Sequence, residues 1–176
     1  MEKPVITYWV DLFNRIKDVT EVTNGFTITE MPPPFSYPDW KGKNLMALIE
    51  GDETKMFYEV LLQRVRIMKK PYEYNFRCDS PGIARFMRMK LTPQADNLIR
   101  SDIFLEDEVH KLPDIWFYQG DTDSIKRCSI CNRLKSGHQW VDIKDENIFH
   151  KDTLTTCPVD YTVCTDCIQH CLPNNR

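Results

Sequence analysis

The sequence predicts an α+β fold: an antiparallel sheet with covering helices, followed by a small module built around cysteines. Three observations lead there. Residues 52–68 carry Phe57, Val60, Leu61, Val65 and Met68 in one helical stripe. Residues 72–105 hold three runs that alternate or cluster apolar residues as half-buried strands do. Six of the seven cysteines lie in the last 49 residues.

Composition sets the bounds. The chain has 176 residues, of which 41% are hydrophobic and 28% charged. That mixture excludes a disordered chain, a collagen and a coiled coil. No apolar run reaches the roughly 18 residues that span a bilayer. The start, Met1-Glu2-Lys3-Pro4, leads into Asp11, Arg15 and Lys17 and does not read as a secretory signal. A cytoplasmic location without a membrane partner is the expectation. The net charge of -3 lacks the basic excess of a nonspecific nucleic-acid binder.

The elements follow in chain order. Residues 5–18 place Ile6, Trp9, Val10, Phe13 and Ile16 at helical spacing, which predicts an N-terminal amphipathic helix. Residues 19–29 read as a short strand pair about Asn24-Gly25, and the four prolines in 31–40 as a loop. Residues 45–49 form a helical turn closed by Gly51. Asp52 and Glu53 suit the start of the main helix, and Lys69, Lys70 and Pro71 its end. Tyr72, Tyr74, Phe76 and Cys78 alternate with polar residues in a first strand. Residues 83–91 form a second, with Met87, Met89 and Leu91 on one face, and residues 98–105 a third.

Cys128-Ser-Ile-Cys131 and Cys164-Thr-Asp-Cys167 are two CxxC pairs with 32 residues between them. Two residues between ligands let a tight turn aim both sulfurs at one ion about 2.3 Å away, and two such turns complete a tetrahedron. The reading is a structural Zn site of Cys128, Cys131, Cys164 and Cys167, closed to water and without catalytic chemistry. Iron, a redox dithiol and disulfides remain alternatives, though the odd cysteine count disfavours full pairing. Cys157, His170 or Cys171 could replace one ligand. Residues 139–143 alternate as a strand, with 153–156 as a partner and a short helix from Cys167. That order resembles a treble-clef or ribbon-type zinc finger.

The stretch 42–108 resembles the second half of a PAS domain. Gly42-Lys43-Asn44-Leu45-Met46-Ala47-Leu48-Ile49, the helix after it and the three strands carry the resemblance. Tyr74-Asn75-Phe76-Arg77-Cys78-Asp79-Ser80-Pro81 and Arg85-Phe86-Met87-Arg88-Met89 are similar to uncharacterised bacterial PAS-like proteins. Some of these end in a CxxC, tryptophan and CxxC segment like that around Cys128, Trp140 and Cys164. The domains expected are a PAS-like domain at 1–109, an aromatic connector at 110–125 that docks the two parts, and a zinc module at 126–176.

The resemblance implies a small-molecule ligand of unidentified type, a protein partner, or both. Phe57, Leu61, Val65, Tyr74, Phe76, Met87 and Met89 could line a pocket; an ordinary filled core is the alternative. Arg77, Arg85 and Arg88 could meet an anion or a partner, or form a solvated face. An N-terminal helix in such proteins implies a homodimer. The function expected is a sensory or regulatory protein whose zinc module presents an interaction surface. A zinc-finger nucleic-acid-binding transcription regulator is the first alternative. From Lys126 to Arg176, however, seven Lys and Arg face six Asp and Glu, before four thiolates on a divalent ion subtract two charges more. No P-loop, G-x-S-x-G, H-E-x-x-H or kinase signature occurs, so no enzyme is expected, with thiol redox chemistry as the second alternative.

Overall fold

The computed structural model of the chain describes residues 3–21, 40–110, 112–143 and 156–172. The fold is α+β, with two five-stranded sheets and two α-helices among these residues. The chain divides into two compact units by contact. The first is 1–49, 58–75 and 87–106; the second is 50–57, 76–86 and 107–176. The division therefore runs through elements, and residues 50–57 and 76–86 group with the cysteine-rich tail.

The first sheet begins where a helix was expected. β1 (Ile6–Val10) and β2 (Ile16–Glu21) form an antiparallel hairpin. The same span fits a strand: Ile6, Tyr8 and Val10 share one face of β1 and are buried, and Thr7 on the other face is buried too. The turn residues decide between helix and strand. The Asp11 carboxylate accepts the N–H groups of Phe13 and Arg15, and Asn14 adopts a left-handed φ of 58°. The N-terminal helix is thus corrected to a hairpin, and the homodimer expected through that helix loses its element. The strand pair and proline loop expected at 19–40 lie outside the described residues except at their ends.

A 3-10 turn (Leu45–Leu48) follows, capped by the Asn44 side chain accepting from the Met46 N–H. α1 (Asp52–Met68) comes next. Leu61, Leu62 and Val65 are its buried face within the first unit, whereas Val60 and Met68, expected inside, are exposed. β3 (Tyr72–Arg77), β4 (Ala84–Pro93) and β5 (Ile99–Val109) complete the sheet in the order β2-β1-β5-β4-β3. The core of the first unit gathers Val10, Ile16, Leu61, Leu91 and Ile99, all 1% exposed or less.

The second sheet runs β6-β10-β7-β8-β9. β6 (Trp116–Gln119) and β7 (Ile125–Cys128) both lie parallel to β10 (Thr156–Thr162). β8 (Leu134–Ser136) pairs antiparallel with β7 and with β9 (Gln139–Val141). Among the described residues the strand at 139–143 pairs with β8, because the Gly137 turn lets the two fold back at once; the partner expected at 153–156 lies outside the described residues except Thr156, which begins β10. The aromatic connector is itself an edge strand: Phe117 packs on a core of Ile115, Leu134, Ile143, Cys157 and Val159. α2 (Thr165–Cys171) closes the described chain, starting before Cys167 instead of at it.

Candidate metal centre

Each cysteine of the cluster sits where local geometry requires it. Cys128 ends β7, and the chain turns tightly through Ser129-Ile130-Cys131. Asn132 closes that knuckle at φ 59°, its N–H donating to the Cys128 carbonyl at 2.9 Å. Asparagine tolerates this left-handed conformation better than most residues. Cys164 is the N-cap of α2, and Cys167 lies in its first turn. The positive end of the helix therefore faces the sulfurs, which favours thiolates.

The four sulfurs lie within 4.8 Å of one another. Cys131 and Cys164 sulfurs are 3.8 Å apart, and neither is in a disulfide. A tetrahedron with bonds of about 2.3 Å has edges of about 3.8 Å, so the donor set fits one metal ion. Cys128, Cys164 and Cys167 are buried and Cys131 partly so. Crowding separates their protonation. The Cys131 thiol is driven far below its ordinary value, first by hydrogen bonds from Cys128 and Cys167 and then by the Arg133 neighbourhood. Cys128 is pushed up to about 12 by the same contact with Cys131, and Cys167 is pushed up by both neighbours. Without a cation the four cannot ionise together; with one they can.

Surrounding groups hold the sulfurs in place. Arg133 Nε donates to Cys131 Sγ at 3.3 Å, and its terminal nitrogen reaches Asp166 at 3.4 Å. The Cys164 N–H donates to Cys128 Sγ at 3.4 Å. Thr54 and Ser129 share a hydroxyl hydrogen bond of 2.7 Å, and Thr162 donates to Glu53. The Arg77 N–H donates to the Ile130 carbonyl at 2.7 Å, while the Asn132 amide donates back to the Arg77 carbonyl. Sequence reasoning sets Arg133 among the cations beside the first knuckle but misses its bond to Cys131 and the tethers at Thr54 and Arg77. That bond was findable, since Arg133 stands two residues past a ligand; the tethers join positions too far apart in sequence to be seen. The spare residues are not among the four clustered sulfurs. Cys157 belongs to the sheet core, and His170 is exposed. Cys171 is buried and pushed up to about 11, by burial first and then by Cys164 and Cys131.

The arginines expected to meet an anion are engaged within the chain. Arg77 bonds both oxygens of Asp79 and, at 2.7 Å, Asp142. Arg85 pairs with Glu108 and donates to Ser80. Arg88 pairs with Glu106 and Glu73 and lies over the Phe104 ring. Each of the three guanidinium groups is thus paired with carboxylates of the chain. Two cations beside the first knuckle are similarly occupied: Lys126 by Glu53 and Asp160, Arg133 by Cys131 and Asp166.

Of the residues named for a ligand pocket, Leu61, Val65, Tyr74, Met87 and Met89 are buried in the first unit. The Tyr74 hydroxyl donates to Tyr58 at 3.3 Å and touches Met89 Sδ at 3.1 Å. Phe57 is buried and Phe76 half-buried in the second unit. A cavity of about 440 Å³ in the first unit lies against Arg66, Lys69 and the 93–98 turn. Among the described residues no helix is long and apolar enough to cross a membrane. No family model, curated protein or solved structure matches the chain.

Proposed function

We propose that the four cysteines bind one Zn²⁺ as a structural clasp, and that the chain is a regulatory binding protein built on a PAS-like sheet. The convergence of four thiol sulfurs within 4.8 Å carries the reading. A full thiolate shell leaves no position for water or substrate, so the ion would supply folding energy and shape. The N–H···S contacts from Arg133 and Cys164 support a quiet site, because donors to thiolate lower its reactivity.

The succession of a knuckle, the β8–β9 hairpin and a helix bearing the second pair supports the treble-clef form of the module. A short helical turn and α1 ahead of three neighbouring strands, β3-β4-β5, support the PAS-like reading of the first sheet. A regulatory protein of this kind acts by contact with a partner, and the pairing of Lys126 and Arg133 with carboxylates favours a protein partner over nucleic acid.

Elemental analysis with native mass spectrometry on the purified full chain tests the metal. One zinc per chain, lost together with the unmasking of four thiols, is the expected result. Protein that is metal-free yet retains its compact charge-state distribution, or that carries iron, overturns it.

A further inference from the structure

One end of the first unit gathers features that neither the metal centre nor the sheet core uses. The β1–β2 turn presents Leu12, 52% exposed, and Phe13, 71% exposed, side by side. Large apolar side chains at a turn are normally withdrawn or replaced by polar ones. This turn is also held firmly. The Asn44 amide donates to the Phe13 carbonyl at 3.0 Å, and Leu45 N–H to the Asn14 carbonyl at 2.7 Å. Arg66 of α1 donates to the Asp11 carbonyl at 2.8 Å and to Asn14 Oδ1 at 3.0 Å. The C-terminal end of α1 therefore lies beside the turn, bringing Ile67, 74% exposed, to the same end.

The charge there is one-sided. Residues 11–18, 41–45, 64–70 and 93–98 hold eight Lys and Arg against three Asp, in a chain of net charge -3. Arg15, Lys43, Lys69 and Lys70 are exposed and have no carboxylate partner among the described residues. Asp18 is taken by Lys41, and the Asp11 carboxylate by the turn's own N–H groups.

We propose that this end docks on an anionic lipid surface, with Leu12 and Phe13 entering the interface and the four cations meeting the headgroups. The mixture of groups selects the occupant. Phosphates of a nucleic acid would satisfy the cations but leave Leu12 and Ile67 in water. A lipid interface accepts apolar tips and cations at adjacent depths. Such docking needs no spanning segment. It is independent of the metal centre, which lies in the other unit.

Co-sedimentation of the full chain with vesicles tests it. Phosphatidylcholine vesicles containing about 30 mol% phosphatidylserine should capture the protein in low salt, and pure phosphatidylcholine should not. Raising NaCl from about 50 to 500 mM should release most of it. The double variant Leu12→Ser and Phe13→Ser should weaken capture roughly tenfold, and Lys69→Glu with Lys70→Glu at least as much. All four positions are exposed, and an unchanged far-UV spectrum confirms that each variant is folded. No capture by phosphatidylserine vesicles, equal capture of the serine variant, or binding to an oligonucleotide in place of vesicles overturns the proposal.

Discussion

Asp79 shows how strongly a single side chain is committed. Its carboxylate is 3% exposed and accepts two hydrogen bonds from Arg77, with Arg127 3.9 Å away. Removing Asp79 leaves Arg77 with Asp142 alone and takes away two charged hydrogen bonds, a loss of about 1.5–3 kcal/mol. Asp79→Ala should lower stability by that amount in urea unfolding; a loss under about 1 kcal/mol would show that the pair is dispensable. Gly51 is constrained in another way. It sits at φ +79°, and an added Cβ would collide with the Tyr161 carbonyl. Burial also holds Cys157 and Tyr161 neutral, since desolvation raises both. A folded-state pKa above the unfolded value stabilises at low pH and loses that contribution as pH rises through it. Stability should therefore fall as pH climbs past the ordinary thiol range near 8.5. Metal binding has the opposite dependence, so the comparison is between wild type and Cys157→Ala. The variant should decline less steeply, by up to about 1.4 kcal/mol per pH unit. Parallel curves from pH 8 to 10 would remove this account.

At the scale of elements, α2 depends on what binds at its start. Its seven residues are too few to persist alone in water, where helices below about 12–15 residues are marginal. Cys164 and Cys167, at the N-cap and first turn, are the means by which a metal would hold it. Chelation should abolish hydrogen-exchange protection across α2 while β4 and β5 amides of the first sheet keep theirs. Retention of α2 protection in metal-free protein would mean that Cys167 and Cys171 packing suffices. β1 and β2 show why a helix was misread. Ile6, Trp9, Val10, Phe13 and Ile16 fit a period of 3.6, yet Asp11 and Asn14 form a turn within the same span. Hairpin pairing and a partner strand in β5 then reward the period-two face.

For the whole molecule, the boundary between units differs from a boundary along the chain. Residues 50–57 and 76–86 belong with the cysteine-rich tail. Within that unit, Arg77 binds the Ile130 loop and Asp142, and Thr54 binds Ser129. A fragment of residues 107–176 lacks these groups. Supplied with zinc, it should show no cooperative thermal transition, whereas the full chain should; a sharp transition in the fragment would mean that the tail is a domain by itself.

The sequence by itself determined the cysteine cluster, because a CxxC spacing confines two sulfurs through local geometry. It also determined α1 and β3 to β5, whose periodicity and end signals agree. Tertiary structure alone decided the rest. The N-terminal stripe became a hairpin once a neighbouring strand was available. Trp116, Phe117 and Tyr118 became a strand because β10, far along the chain, lies beside them. Arg77 turned inward because Asp79 and Asp142 compensate its charge. Local pattern reports only what a residue gains from near neighbours. Pairing and charge compensation depend on partners brought together by folding, and sequence distance carries no record of them.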